Sequence, residues 1–226
     1  MASHRKRESF FSGWRLVLLA ALGGTLVAAL IIVLLLTSAP QEPAEVAPNP
    51  VATITMSDGS QMRFTLYPDQ APNTVANFIK LANRGFYDGQ QFFRIVAGVF
   101  IQGGDPKNNG TGDPGYAIKG EFADNGFTRN TISHLRGAIS MARPSGYDTA
   151  GSQFFIMQGS YPEYDGRYAA FGSIDKDDTK SLAALDAIAS QATDSTYLPL
   201  TRQVISSIRV ETFDVDYGDP ETLVRE

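Results

Sequence analysis

Residues Phe92 to Asp105, FFRIVAGVFIQGGD, set one cation, Arg94, and one amide, Gln102, among aromatic and aliphatic side chains. The run ends on Gly103-Gly104, a pair that lets the backbone turn sharply. Taken by itself it is consistent with two core strands joined at an Ala97-Gly98 corner, with Arg94 turned to solvent. The other reading keeps Arg94 at a site, because a charge among apolar residues is costly unless something uses it. Two later stretches bear on the choice.

They are GAISMAR, Gly137 to Arg143, and GSQFFIM, Gly151 to Met157. Each has the alternating or short continuous apolar character of a buried strand, and the second places Gln153 just ahead of the Phe154-Phe155 pair. Together with FFRI…QGGD and DGRYAAFG, Asp165 to Gly172, these blocks resemble in order and spacing the signature blocks of the cyclophilins, a family of peptidyl-prolyl cis/trans isomerases. The resemblance covers roughly Val51 to Thr212. It implies a mainly β fold, a closed eight-stranded antiparallel barrel capped by two α-helices. Carried over residue by residue, it makes Arg94 the catalytic arginine, Gln102 and Gln153 the substrate-binding glutamines, Met141 and Ala142 the strand lining the groove, and Phe155 the floor of the proline pocket.

The rim departs from the family pattern. Phe93 stands where many members carry histidine, Arg143 where an asparagine is frequent, Glu163-Tyr164 where the best-known members have Trp-Leu, and Tyr168 in place of a pocket histidine. The order Val99-Phe100 is also unusual. In a regular strand it moves the large ring to the face opposite the pocket, whereas a bulge would bring it back.

The chemistry explains the residue types. Amide conjugation raises a barrier of ~18–20 kcal/mol to rotation, and X-Pro bonds, whose two forms are nearly balanced, interconvert over tens to hundreds of seconds. No bond is made or broken, so the reaction calls for no nucleophile, metal or cofactor. The catalyst must favour the twisted amide, whose pyramidal nitrogen has recovered a lone pair that a fixed cationic donor can meet. Arg94, planar and permanently charged, is the candidate; Phe155 with Phe100, Met141, Tyr164 and Tyr168 would hold the pyrrolidine ring, and Gln102 and Gln153 the flanking backbone. Each ~1.4 kcal/mol of preference for the twisted state gives a tenfold rate gain.

The N-terminal part has a different composition. Residues 1–15 are basic, and Leu16 to Leu36 carry no charge over about 20 residues, the length of a helix crossing a bilayer. Basic residues precede the span and none follows until Arg63, so the positive-inside rule puts the N-terminus in the cytoplasm and the remainder outside. A cleaved signal peptide, with Thr37-Ser38-Ala39 for a peptidase, is the rival; the long apolar run and Pro40 favour an uncleaved anchor. Residues 37–50, rich in Pro, Ala and Glu, read as an extended linker, 51–213 as the domain and 214–226 as an acidic, frayed tail.

Within the domain, Val51–Met56 and Gln61–Tyr67 flank the turn signal Asp58-Gly59. Helices are expected over Ala71–Ala82 and Ser181–Ser190, and strands over Ala169–Ile174 and Val204–Phe213. The net charge of −5 argues against nucleic acid, and the absence of cysteine excludes disulfide and thiol chemistry. His4 and His134 are too few and too far apart for a metal site, so His134 is expected to be satisfied or exposed. Ser152 has no His-Asp company that would make it a nucleophile. The resulting expectation is a monomeric, membrane-anchored prolyl isomerase acting on proline-containing unfolded or exported polypeptides. A tethered proline-peptide binding module or holdase with little turnover is the alternative, kept open by the altered rim.

Overall fold

A computed structural model describes residues 47–224. The expected membrane span, residues 16–36, lies outside them; among the described residues no helix is long and apolar enough to cross a membrane.

Strand β1 (Val51–Met56) and strand β2 (Gln61–Leu66) form the expected hairpin, with alternate residues buried. Gly59 takes φ +87° at the turn, and the Asp58 carboxylate accepts the Ser60 N–H at 2.8 Å, which fixes its geometry. Helix α1 (Pro72–Asn83) starts at a proline, which has no N–H to leave unpaired. No neighbouring side chain caps it. The buried Glu121 carboxylate does so from a distance, accepting the N–H groups of Asn73 at 3.0 Å and Thr74 at 2.8 Å. The helix buries Val75, Phe78 and Ala82, and the Phe78 ring meets Tyr87, Phe154 and Phe171 at centroid distances of 5.4, 5.7 and 5.0 Å. Truncating a ring so placed costs roughly 3–5 kcal/mol.

Strands β3 (Gln91–Phe92), β4 (Arg94–Val96), β5 (Phe100–Gly103), β6 (Ala138–Met141), β7 (Phe154–Met157), β8 (Ala170–Ser173) and β9 (Gln203–Glu211) complete a nine-stranded sheet, and helix α2 (Thr179–Ala189) lies between β8 and β9 in the chain. The order is β3-β9-β1-β2-β8-β6-β7-β5-β4, every pairing antiparallel. The two ends of that order are one run of chain, Gln91–Val96, broken only at Phe93, whose N–H donates to the Gln102 carbonyl at 3.0 Å. The sheet therefore curls into a nearly closed barrel. Counting the interrupted run once gives the eight strands expected; the break at Phe93 divides it into two.

The inner faces of the strands supply the core, with Ile54, Phe64, Ile101, Ile139, Phe154, Ile156, Phe171 and Ile208 all fully buried. Helix α1 packs on β9 and α2 on β2. In α2, Asp178 caps the first turn by accepting the Ser181 N–H at 3.0 Å, and Leu185 and Ile188 point inward.

The acidic tail differs from expectation. Rather than fraying, it folds back: Leu223 and Ala117 exchange both backbone hydrogen bonds, at 2.7 and 3.0 Å, Glu221 N–H donates to the Asn73 side chain at 2.7 Å, and Asp219 pairs with Lys80 at 2.6 Å. An acidic composition predicts solvation, but backbone pairing is independent of side-chain charge.

Candidate active site

Residues paired across antiparallel strands point to the same face. Arg94 on β4 pairs with Gln102 on β5, Gln102 with Phe155 on β7, and Phe155 with Ser140 on β6. One lateral row thus carries the cation, the amide and the aromatic floor on the outer face, while Ile95, Ile101, Phe154 and Ile156 turn inward. One row along, Val96, Phe100 and Met157 continue that face and join Phe155 in a second apolar cluster, separate from the barrel core.

Phe100 does reach the cleft. Strand β5 begins at Phe100, and Val99 belongs to the turn before it, its N–H donating to the Val96 carbonyl at 2.9 Å with Gly98 at φ +79°. No regular strand runs through Val99-Phe100, so the alternation that would have turned the ring away does not apply. Phe100 packs on Phe155 at 5.5 Å between centroids.

The cleft is a cavity of about 220 Å³ lined by Arg94, Phe100, Gln102, Ala142, Arg143, Phe155, Tyr164 and Tyr168. Phe155 forms its base, with Tyr168 and Tyr164 standing nearly perpendicular to it at 5.5 and 6.1 Å. Burial, with Tyr168 close by, raises the Tyr164 pKa, so its hydroxyl stays protonated and able to donate. Arg94 is exposed as a residue, yet its guanidinium lies over the Phe100 ring, 5.1 Å from the centroid. Its Nη1 donates to Gln102 Oε1 at 3.4 Å, Gln102 Nε2 to Gln153 Oε1 at 2.9 Å, and Gln153 Nε2 to the Gly112 carbonyl at 2.9 Å. A chain of hydrogen bonds, each donated outward, therefore runs from the Arg94 cation to the carbonyls of the Gly110–Gly112 loop. A second cavity of about 330 Å³, lined by Gly110 to Asp113, Pro144, Thr149 and Gly151 to Gln153, adjoins it and shares Gln102, Ala142 and Arg143.

Met141 is a correction. Expected on the groove strand as a lining residue, it is 1% exposed and belongs to the barrel core. Strand alternation is the reason: Ala142 faces the cleft, so the residue before it faces inward.

Two residues take roles that the sequence alone does not show. His134 is completely buried beneath the cleft floor, stacked on Phe155 with 5.9 Å between centroids. Its Nδ1 lies 2.9 Å from Asp165 Oδ1 and its Nε2 3.0 Å from Ser140 Oγ. Burial pushes the His134 pKa down, and Asp165 only partly opposes it. For Asp165, burial pushes the carboxyl up, but hydrogen bonds from the His134 backbone and ring outweigh it and leave it below the usual range. The ring is thus neutral near pH 7, with Nδ1–H donating to the carboxylate and Nε2 accepting from the serine hydroxyl. Arg143 is the second. Its guanidinium sits 4.9, 5.1 and 5.2 Å from the Tyr168, Phe122 and Tyr147 rings and donates to the carbonyls of Arg167, Pro144, Ser145 and Gly146. A cation held this way fixes the position of Tyr168. The altered rim pair Arg143 and Tyr168 is therefore one packed unit.

Comparison with known proteins gives a consistent picture. The family model for cyclophilin type peptidyl-prolyl cis-trans isomerase/CLD matches residues 51–210. Peptidyl-prolyl cis-trans isomerase B of Bacillus subtilis is 50% identical over 119 residues, covering 53% of this chain and 79% of its own length. A peptidyl-prolyl cis-trans isomerase of Helicobacter pylori is 43% identical over 144 residues, 64% of this chain and 83% of its own. Among solved structures, a Cryptosporidium parvum cyclophilin type peptidyl-prolyl cis-trans isomerase, crystallised in the presence of the dipeptide Ala-Pro, is similar with a TM-score of 0.61 and 28% identity, covering 71% of this chain and 98% of that one.

Proposed function

The chain belongs to the cyclophilin-type peptidyl-prolyl cis-trans isomerase family, and from that premise we propose how this member works and where. Arg94 stabilises the twisted prolyl amide by donating to its pyramidal nitrogen. Phe155, walled by Phe100, Tyr164, Tyr168 and Ala142, holds the pyrrolidine ring, while Gln102 and Gln153 bind the flanking backbone. The observation that carries this reading is the single register row Arg94, Gln102, Phe155, which aims a cationic donor across an apolar base. A charged hydrogen bond made only in the twisted state contributes about 1.5–3 kcal/mol, one to two decades of rate, and orienting the ring adds to it.

The enzyme works tethered to a membrane as a monomer. Residues 16–36 form a single span with the N-terminus in the cytoplasm, residues 37–50 a spacer, and the clients are proline-containing exported or membrane-associated polypeptides. The uncharged run and the basic residues before it support the span and its orientation. Fractionation with external protease tests it. An anchored chain stays with carbonate-washed membranes and loses residues 51–226 to protease added outside the cell membrane. Recovery of a soluble chain lacking residues 1–39 by mass would instead establish signal cleavage.

A further inference from the structure

Arg94 sits on β4, a strand at the end of the sheet order, and its side chain is long, exposed and weakly tethered. Among the described residues its side-chain hydrogen bond is the 3.4 Å contact to Gln102, too long to hold a flexible guanidinium firmly. Two rings restrain it instead. Phe100 lies 5.1 Å away on the cleft side, and Tyr197, from the loop joining α2 to β9, lies 5.8 Å away.

That loop is built to hold the second ring in place. The Tyr197 carbonyl accepts the Ile95 N–H at 2.9 Å, which pins the loop to the open edge of β4 one residue from Arg94. Tyr197 itself has φ +67°, a left-handed conformation that bulky residues rarely adopt, so surrounding contacts must enforce it. Asp194 supplies them: its Oδ1 accepts the N–H groups of Thr196 at 2.8 Å and Leu198 at 3.0 Å, and the Tyr197 N–H returns to the Asp194 carbonyl at 3.1 Å. The Leu200 N–H closes the loop onto the Ala192 carbonyl at 2.8 Å. Yet the ring held by this turn is 48% exposed and is absent from the lining of the proline cavity.

We propose that Tyr197 is a positioning residue for the isomerisation, holding the Arg94 guanidinium toward the cleft from the side opposite the substrate. The inference rests on the reading of Arg94 as the catalytic donor. Tyr197 touches no substrate; it narrows the range of arginine rotamers, so its loss leaves proline binding intact and slows turnover.

The test measures cis/trans exchange of an Ala-Pro peptide by NMR with the full-length chain in detergent micelles, over peptide concentrations that separate kcat from KM. Tyr197→Asn removes the ring while tolerating the left-handed backbone, and Tyr197→Phe keeps the ring. Tyr197→Asn is expected to lower kcat by about two- to five-fold, the equivalent of an exposed cation–π contact, with KM unchanged. Tyr197→Phe should restore kcat, and adding Tyr197→Asn to Arg94→Ala should cause no further loss. An unchanged kcat in Tyr197→Asn, or an equal loss in both Arg94 backgrounds, overturns the inference while leaving the role of Arg94 standing. If Arg94→Ala itself leaves kcat unchanged, the donor assignment fails and the inference falls with it.

Discussion

His134 lies beneath Phe155 with the two ring planes 18° from parallel and their centroids 5.9 Å apart. The base of the cleft is therefore two aromatic layers deep, the lower one titratable. Asp165 and Ser140 address its two nitrogens, and Tyr164 and Tyr168 meet its edges at 5.9 and 6.3 Å.

This arrangement predicts a pH dependence. Burial depresses the folded pKa of His134, whereas an unfolded chain titrates at about 6.5. The stabilising contribution is complete above that value and is lost as pH falls from it toward the folded pKa, because only the unfolded chain then takes up the proton; the slope is at most about 1.4 kcal/mol per pH unit. The carboxylates with lowered pKa, such as Asp165, lose theirs only below about 3.9, outside this window. Urea midpoints should fall from pH 7.5 to 5.5, and His134→Gln should flatten the change. An equal slope in both proteins would show that another group is responsible.

Gly112 has no room for a side chain. A Cβ there would lie 1.9 Å from Asp105 Oδ1, and the Gly112 carbonyl holds Gln153. Gly112→Ala is expected to cost about 1–3 kcal/mol and to raise KM more than it lowers kcat, since the loop orienting Gln153 must shift. Thermal unfolding together with peptide titration checks both; unaltered stability would mean that the loop relaxes freely.

Arg143→Lys should behave nearly like Arg143→Ala. A lysine carries the charge but lacks the planar fork that reaches four carbonyls and lies against three rings. Each is expected to destabilise by about 1–2 kcal/mol and to loosen Tyr168, read as a broadened Tyr168 ring resonance. A Lys variant matching the parent would reduce the contribution of Arg143 to charge alone.

Cyclosporin should bind weakly. By the resemblance, Glu163, exposed on the short 3-10 turn Pro162–Tyr164, stands where the best-known members carry the tryptophan that contacts this drug. Calorimetric titration giving tight binding would show that Glu163 does not stand at that position.

Much of the barrel was legible because its signals are local. The Asp58-Gly59 hairpin, the proline-started helix and the apolar runs around Phe100, Ile139 and Phe155 each announce themselves within a few residues. Legibility failed where partners are distant in sequence. His134 gives no hint of Asp165, 31 residues on, and the helix-capping Glu121 lies far from Asn73. Met141 was misplaced because a block resemblance names a strand without saying which of its faces meets the ligand, whereas strand alternation does. The loop carrying Tyr197 has no apolar period at all, and its conformation follows from Asp194 hydrogen bonds rather than from any hydrophobic pattern.

A fixed guanidinium beside an apolar ring pocket is proposed to lower the barrier to rotation of the prolyl amide. The decisive measurement is two-dimensional NMR exchange on an Ala-Pro peptide, comparing the parent with Arg94→Ala and Arg94→Lys at matched peptide occupancy. Exchange should fall by about one to two decades in Arg94→Ala, with peptide affinity within about threefold of the parent, and take an intermediate rate in Arg94→Lys. Exchange in Arg94→Ala as fast as in the parent would contradict the proposal.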